Sequence, residues 1–246
     1  MGVHMHEPIK LPTLNDDESR QLTDCMVVAA NKLNTVHEID NFAVTGWLPD
    51  EFFELLQEFY SIYDNYIYHN TVEANLEIAC HLTCDRCCKQ PVRGLYSFEI
   101  ISLYRRIRQF EDYKDIHKLL VEYASEFQKA VQALLEPGIT TIPSDHPVIY
   151  EAHYKLSQEG KPCPLLFNRT CRIYEQRPVL CRAYHSLTSP SLCTTPEGKT
   201  FLLEPPKRVD KVLRSLSKRL QIPSGNDLTS GLLLFGADQK FRPWKL

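Results

Sequence analysis

The amino-acid sequence predicts a mainly helical single domain in which irregular, cysteine-rich loops are pinned by a metal. Apolar residues recur at helical spacing in several segments, and eight of the nine cysteines fall into two clusters, within residues 80–88 and 163–193. With 246 residues, the chain can bury a core without covalent cross-links. We expect a helical N-terminal part over about 1–79, a cysteine-cluster region over about 80–193, and a C-terminal amphipathic helix and tail over about 205–246.

The first predicted helix starts near Asn15 and has one apolar stripe. The stripe, at i, i+3, i+4 and i+7 spacing, consists of Leu22, Cys25, Met26, Ala29 and Leu33. Asn15 followed by Glu18 resembles a capping box, which supports a helix start here. Because Cys25 lies on the stripe, the pattern predicts a buried, unreactive thiol at this position.

Two further helices are predicted before residue 136. One begins after Pro49-Asp50 and carries many aromatic and aliphatic side chains between Phe52 and Tyr63, which is typical of a core-facing helix. The next begins near Ser97 and runs to about Leu135, where the sequence Glu136-Pro137-Gly138 ends it.

The composition of the chain changes after residue 136, where Pro and Gly become frequent. We expect loops with short helices between them. Pro205-Pro206 then opens a last amphipathic helix with a basic face opposite its apolar face. The apolar face is formed by Val209, Val212, Leu213, Leu216 and Leu220.

Charge and hydropathy restrict the partners that the chain can have. Lys and Arg number 28 and Asp and Glu number 31, so the net charge of −3 provides no general attraction to nucleic acid or anionic lipid. The N-terminus lacks the apolar run of a signal peptide, and no segment approaches the roughly 20 apolar residues of a membrane span. We therefore predict a cytoplasmic protein without membrane contact, whose reduced cysteines are metal ligands or redox groups instead of disulfides.

The two cysteine clusters have the spacing of metal ligands. The eight candidate ligands are Cys80, Cys84, Cys87, Cys88, Cys163, Cys171, Cys181 and Cys193. Thiolate sulfur suits zinc, iron and iron–sulfur clusters, whereas calcium and magnesium prefer oxygen ligands. Eight thiols could complete two four-coordinate sites, or one cluster and one mononuclear site. The adjacent Cys87 and Cys88 could serve different metals or opposite sides of one centre, and the spacing leaves these alternatives open.

Basic residues flank both clusters and favour the ionised, ligating form of the thiols. They are Arg86, Lys89, Arg93, Arg169, Arg172, Arg177 and Arg182. Pro178 suits the first turn of a helix that carries Cys181 and, on the same face, His185. His185 is a candidate additional ligand, with an ordinary surface histidine as the alternative. Glu175 and Arg177 could form an ion pair around this turn.

Beyond the spacing, several strings of residues resemble a known family. The matching segments are Cys84-x2-Cys87-Cys88, Cys163-Pro164-Leu165-Leu166, and Cys171-Arg172-Ile173-Tyr174-Glu175-x-Arg177-Pro178-x2-Cys181-Arg182-x-Tyr184. Over about residues 80–193, they are similar to the YkgJ-like cysteine-cluster family, a zinc- or iron-chelating domain. The resemblance implies that the cysteines chelate metal, and it does not cover the helical N-terminal part.

One position departs from the usual pattern of that family, in which the first cluster reads C-x2-C-x2-C-C. The usual pattern places a cysteine at position 81, whereas this chain has His81 there and a thiol one residue earlier, at Cys80. We expect Cys80 to be the ligand, with His81 as the alternative. A cysteine clustered with three more is typical of a metal site, whereas a single histidine is found in many settings that involve no metal.

Enzymes that use S-adenosylmethionine are an alternative class. Cys80, Cys84 and Cys87 form the C-x3-C-x2-C motif with which radical enzymes of this kind bind a [4Fe-4S] cluster, and Asn75-Leu76-Glu77-Ile78 resembles the strand that precedes it. The rest of the chain lacks the alternating strands and helices of their barrel. The cysteine-rich region is also similar in kind to that of the flagellin lysine N-methylases, although no Gly-rich nucleotide-binding turn is present. No general catalytic motif is found in the sequence.

A nucleic-acid-binding protein with a structural zinc site is the non-enzymatic alternative. Its contact surface would be basic residues of the last predicted helix and of a segment near residue 106. These residues are Lys207, Arg208, Lys211, Arg214, Lys218 and Arg219, with Arg105, Arg106 and Arg108 as a second group. We do not expect nucleic acid as a partner, because a helix with one apolar and one basic face is more often docked on its own domain.

Overall fold

The computed structural model describes residues 13–81, 83–89, 92–139, 142, 146–159, 161–193, 198–222 and 227–237. In these ranges the chain is mainly helical, which confirms the predicted fold class. The helices in chain order are α1 (Asp17–Thr35), α2 (Phe42–Thr45), α3 (Asp50–Tyr68), α4 (Ser97–Arg108), α5 (Tyr113–Leu134), α6 (Pro147–Gln158), α7 (Val179–Ala183), α8 (Lys207–Leu220) and α9 (Leu228–Ala237). Antiparallel pairs are formed by β1 (Leu166–Phe167) with β2 (Thr170–Cys171), and by β3 (Tyr184–Ser186) with β4 (Thr200–Leu202).

Helix α1 packs against α3 and α8, and its buried side chains repeat at helical spacing. Met26, Ala29 and Leu33 are buried, as the sequence predicts. Cys25 is exposed, so the prediction of a buried thiol was wrong. The buried stripe begins with small polar residues such as Thr23, whose hydroxyl bonds to the backbone of its own helix, and Cys25 lies to one side of it.

The starts of α1 and α3 have different causes. The carboxylate of Asp16 accepts a hydrogen bond from the Ser19 N–H at 2.8 Å, so Asp16 is the N-cap and the expected capping box at Asn15 was wrong by one residue. Helix α3 begins at Asp50, directly after Pro49 and one residue before the predicted start after Pro49-Asp50. Proline fixes its own φ and has no N–H to leave unpaired at the start of a helix.

Aromatic residues of α3 fill the core. The rings of Phe59, Tyr63 and Tyr66 stack in series, with centroids 6.2 Å and 6.4 Å apart. The Tyr63 hydroxyl donates to the carbonyl of Leu203 at 2.6 Å and so fixes the segment before α8 against α3. At its C-terminal end α3 continues into a π turn over His69–Glu73.

The segment predicted as one helix over 97–135 consists of two helices, α4 and α5. The N–H groups of Gln109 and Phe110 donate to carbonyls three residues earlier, at 3.1 Å and 3.2 Å, which tightens and ends α4. Asp112 then accepts two hydrogen bonds from the Arg172 guanidinium, at 2.7 Å and 3.0 Å. This anchor is remote in sequence, so the local apolar pattern does not reveal the break.

Helix α9 follows α8, so the prediction that α8 is the last helix was wrong. The Asp227 carboxylate caps α9 by accepting hydrogen bonds from the N–H groups of Thr229 at 2.8 Å and Ser230 at 3.0 Å. Gly236 approaches the ring of Tyr104 so closely that a Cβ would lie 2.7 Å from it. Glycine therefore permits the packing of α9 on α4.

One cluster of buried apolar side chains extends from α1 to α9 and includes Leu165 and Ile173 of the cysteine-rich region. None of the described helices is long and apolar enough to cross a membrane. Residues 75–78, which resemble a strand in sequence, form none in the structure. The described strands make only the two short antiparallel pairs, which differ from the parallel barrel of the radical-enzyme alternative.

Candidate metal centre

A cavity of about 650 Å³ lies between the C-terminal end of α3 and the cysteine-rich loops. Seven of the eight candidate ligands line it, namely Cys80, Cys84, Cys87, Cys88, Cys163, Cys171 and Cys181. The eighth, Cys193, is buried outside the lining. Burial raises the pKa of its thiol, and the nearby thiols of Cys84 and Cys87 add to the rise. Two clusters that are remote in sequence therefore face one space.

Backbone hydrogen bonds to β3 hold the first cluster. The Ala79 N–H donates to the carbonyl of Ser186 at 2.9 Å, and the Ser186 N–H donates to the sulfur of Cys80 at 3.3 Å. The Cys84 N–H donates to the carbonyl of His81 at 2.9 Å and closes a turn. Cys80 is therefore fixed beside β3, and the turn directs the chain toward the next cysteines.

The second cluster is joined directly to the first. The Cys163 N–H donates to the carbonyl of Cys88 at 2.5 Å. Cys171 lies in β2, at the end of a hairpin whose turn contains Asn168 and Arg169 with φ of 48° and 62°. Asparagine tolerates this left-handed region better than most residues, and the tight turn returns the chain to the cavity.

Glu99 positions the helix that carries Cys181. Its carboxylate accepts hydrogen bonds from the N–H groups of Val179 at 2.6 Å and Tyr96 at 2.9 Å, which are at the starts of α7 and α4. Glu99 is 1 % exposed, and burial raises its pKa to about 7. One side chain thus caps two helices and links α4 to the cavity wall.

Arg182 fixes the loop before α7 against α3. The guanidinium donates to the carbonyls of Arg177, at 2.9 Å, and Glu175, and it forms an ion pair with Asp64. It also lies over the ring of Tyr60, 4.3 Å from the centroid. In the sequence, Arg182 was identified only as a cation near the thiols. In the structure, its guanidinium N–H groups are used in the contacts that hold the loop in place.

Burial raises the pKa of most of the thiols around the cavity. The pKa is raised to about 11 for Cys80, to about 12 for Cys163, and well above the usual range for Cys181. Cys87 differs, because a hydrogen bond with Cys88 lowers the pKa of Cys87 to about 7 and raises that of Cys88. So many thiolates cannot form together in this space without a cation. The donor set therefore fits a metal that replaces the thiol protons.

The sulfur atoms around the cavity do not converge on one point, although the thiols of Cys87 and Cys88 share a hydrogen bond. Among the described residues, no three cysteine sulfurs all lie within 4.8 Å of one another. Four sulfurs bound to one zinc ion at about 2.3 Å would be roughly 3.8 Å apart. A mononuclear site would require the loops to move inward. A [4Fe–4S] cluster would require less movement, because each of its four cysteine ligands binds a different iron.

Two histidines border the cavity. His185 lies in β3, beyond the end of α7, so it does not share a helix face with Cys181 as predicted. Its Nε2 is buried without a hydrogen-bond partner among the described residues, and its ring stacks on Phe201, so the surface-histidine interpretation was wrong. Burial lowers the pKa of His185 to about 4, which keeps the ring in its neutral, ligating form. His81 is exposed, with Nδ1 3.1 Å from the hydroxyl of Thr83.

The flanking cations differ in their partners. Three of them form ion pairs, Arg172 with Asp112, Arg182 with Asp64, and Arg169 with Asp85. Arg177 lines the cavity and lies over the ring of Tyr174 at 4.3 Å. Among the described residues it forms no ion pair, so the expected pair with Glu175 was wrong. The side chain of Lys89 lies outside the described part of the structure.

A histidine–carboxylate group was not predicted from the sequence. Both ring nitrogens of His69 face carboxylates, with Nδ1 2.5 Å from Glu73 and Nε2 3.0 Å from Asp16, and Glu18 lies nearby. The hydrogen bond with Glu73 raises the pKa of His69. An imidazolium that donates from both nitrogens accounts for this group. Its partners come from the π turn after α3 and from the start of α1, so the spacing of Glu73 alone does not indicate the group.

Comparison with protein families agrees with this geometry. The model of the CxxCxxCC family, described as a putative zinc- or iron-chelating domain, matches residues 79–201, which is half of the chain. The chain belongs to this family. The CxxCxxCC region contains both cysteine clusters, and the match confirms the resemblance seen in the sequence. Searches of the curated proteins and of the solved structures found no match.

Proposed function

We propose that this protein is a cytoplasmic, single-domain metal-binding protein that holds zinc or iron mainly through thiolates of both cysteine clusters. The observation that carries the proposal is that seven cysteines, from segments far apart in sequence, line one cavity. Membership in a zinc- or iron-chelating family supports the same conclusion. The eight cysteines would be the ligands, with Cys193 approaching from behind the lining.

The chemistry of the site supports a metal in preference to free thiols. Burial disfavours thiolates at most of these positions, whereas a bound cation would stabilise them and would be lost when the thiols are protonated. The metal would also link the segment at 80–88 to the loops after 160. These loops are poor in regular structure and gain stability from such cross-links.

Among the possible iron sites, one observation favours an iron–sulfur cluster. No three described cysteine sulfurs are as close together as the ligands of one zinc ion, and the cavity has room for a polynuclear centre. A cluster would also leave open an enzymatic role of the S-adenosylmethionine type, for which the sequence motif Cys80-x3-Cys84-x2-Cys87 is the support.

Elemental analysis and visible absorption of protein purified without oxygen would test the proposal. We expect zinc or iron bound in stoichiometric amount. Colourless protein with zinc would indicate a chelating or structural site, and brown protein with matched iron and sulfide would indicate a cluster. Protein that folds normally and binds neither metal after reconstitution would contradict the proposal.

Single Cys→Ser variants would test the ligand set. We expect Cys163→Ser and Cys181→Ser to lower the metal content and to make the loops after 160 sensitive to protease, because binding and local folding are coupled. Cys25→Ser is the matched control, since Cys25 is exposed on α1. It should retain all metal and change the free energy of unfolding by less than about 0.5 kcal/mol. Equal metal content in all three variants would show that the clusters are not the site.

A further inference from the structure

The cavity is larger than a metal site requires. Its volume is about 650 Å³, which corresponds to the liquid volume of on the order of twenty water molecules. The sulfur ligands already belong to its wall, so one or two metal ions would occupy a small part of it. The volume is within the range of pockets that hold small organic molecules, roughly 300–1,000 Å³.

Apolar side chains also line the cavity. Ile67 and Ile78 contribute to the wall. Three large side chains at the rim are unusually exposed, Tyr68 at 54 %, Val72 at 47 % and Tyr174 at 38 %. Exposed apolar side chains that line a cavity are typical of a ligand-binding surface.

Arg177 supplies a positive charge inside this cavity. Among the described residues, its buried Nε has no hydrogen-bond partner and no carboxylate forms an ion pair with it. Arg177 belongs to the cavity lining, and no described carboxylate offsets its charge, so an anionic group bound in the cavity would be stabilised beside it. The planar fork of arginine matches a carboxylate with two parallel hydrogen bonds.

We propose that the cavity binds a small organic carboxylate beside the metal, with its carboxylate on Arg177 and its apolar body against Tyr68, Val72 and Tyr174. The inference rests on the proposed function, because the thiols would hold the metal and the other lining residues would contact the organic molecule. A simple counter-ion role for Arg177 toward the metal–thiolate centre would account for the charge. It would not account for the unused volume or the exposed apolar rim.

Calorimetric titration of the metal-loaded, full-length protein with phenylbutyrate tests the proposal. Phenylbutyrate combines an apolar ring and a carboxylate, phenylbutanol lacks the charge, and inorganic phosphate lacks the apolar body. We expect phenylbutyrate to bind at least tenfold more tightly than either comparator. Binding of phenylbutyrate no tighter than that of phenylbutanol would overturn the proposal, and tighter binding of phosphate would overturn the choice of a carboxylate.

Variants separate this site from the metal site. Arg177→Gln, loaded with metal to the content of the wild type, should bind phenylbutyrate at least tenfold more weakly. The matched control is Arg108→Gln, because Arg108 also lies over a tyrosine, Tyr113, at 4.4 Å, but is not part of the cavity lining. It should bind phenylbutyrate as the wild type does. If Arg177→Gln fails to fold, Val72→Asp at the exposed rim should weaken phenylbutyrate binding more than phenylbutanol binding.

The outcomes distinguish the two proposals. A wild-type protein without metal would contradict the proposed function. A metal-loaded protein that does not bind phenylbutyrate would contradict only the present inference. Arg177→Gln could lose metal and yet, once reloaded with metal, bind phenylbutyrate as the wild type does. That result would show that Arg177 is a counter-ion of the metal centre, and it would overturn the present inference.

Discussion

At the scale of single residues, the polar groups near the cavity divide into two kinds. Glu99 and Arg182 are buried and have hydrogen-bond partners, so they position the cavity wall. His185 Nε2 and Arg177 Nε are buried without partners in the described part of the chain. The first kind explains how irregular loops keep their shape, and the second consists of polar atoms for which the described residues supply no hydrogen-bond partner.

Glu99 predicts a pH effect on stability. Burial raises its pKa from 4.5 to about 7, so between these pH values the unfolded chain loses the proton before the folded chain does. This group therefore lowers the free energy of unfolding as the pH rises through that window, by up to about 3 kcal/mol. We expect Glu99→Gln to be less stable than the wild type at the acidic end and to show a flatter pH dependence.

Urea unfolding of both proteins across this pH range would measure the effect. The relevant quantity is the difference in the free energy of unfolding between wild type and Glu99→Gln at each pH. Other carboxylates contribute with the opposite sign, but equally in both proteins, so their contributions cancel in this difference. A difference that does not change with pH would show that Glu99 does not titrate with a raised pKa.

At the scale of elements, α8 shows how a basic helix is used. Three of its cations pair with acidic residues, Arg208 with Asp24, Arg214 with Asp210, and Arg219 with Asp40. Its apolar face packs on α1 and α4. The arginines of the basic face are thus engaged in intramolecular ion pairs, which opposes a role as a nucleic-acid reader.

We accordingly expect no salt-dependent binding of duplex DNA or of RNA in fluorescence anisotropy. Replacing the remaining cations of the basic face, Lys207, Lys211 and Lys218, by Gln should leave the result unchanged. Tight binding whose logarithm falls steeply with the logarithm of salt concentration, and which the triple variant reduces, would contradict this interpretation.

The helices that the sequence predicted are those with a long apolar stripe. The core faces of α1, α3 and α8 follow from spacing alone, because each helix buries one face against the others. The break between α4 and α5 lies beside the contact of Asp112 with Arg172, which is remote in sequence, and was not predictable from the local apolar pattern. Helix α9 is short, rich in apolar residues on all sides and interrupted by glycine, so its pattern has no clear period.

The cavity could be predicted only in part. Cysteine spacing indicates a metal site and its residues, because clustered cysteines in a reduced chain are typically metal ligands or redox groups. The contribution of α3 to the wall, the role of Glu99 and the exposed rim at Val72 arise from contacts between remote segments. These features require the three-dimensional structure.

At the scale of the whole molecule, the helical core and the cysteine-rich loops are stabilised in different ways. The helical core depends on apolar burial that includes Met26, Phe59 and Leu213, whereas the cysteine-rich loops have little regular structure. Chelation of the metal should therefore affect the two parts differently. In hydrogen–deuterium exchange, we expect protection to fall at 80–88 and 163–193 while α1, α3 and α8 remain protected. A uniform loss of protection from exchange across the whole chain would contradict this difference between the core and the loops.

X-ray absorption at the metal edge tests the central claim most directly, because it reports which atoms surround the metal. The account predicts a shell of sulfur atoms at about 2.3 Å from the bound zinc or iron. The sulfur number should fall in Cys163→Ser and remain unchanged in Cys25→Ser. A nearest shell made up only of nitrogen and oxygen, or a sulfur number unaffected by Cys163→Ser, would contradict the claim that thiolates of both clusters hold the metal.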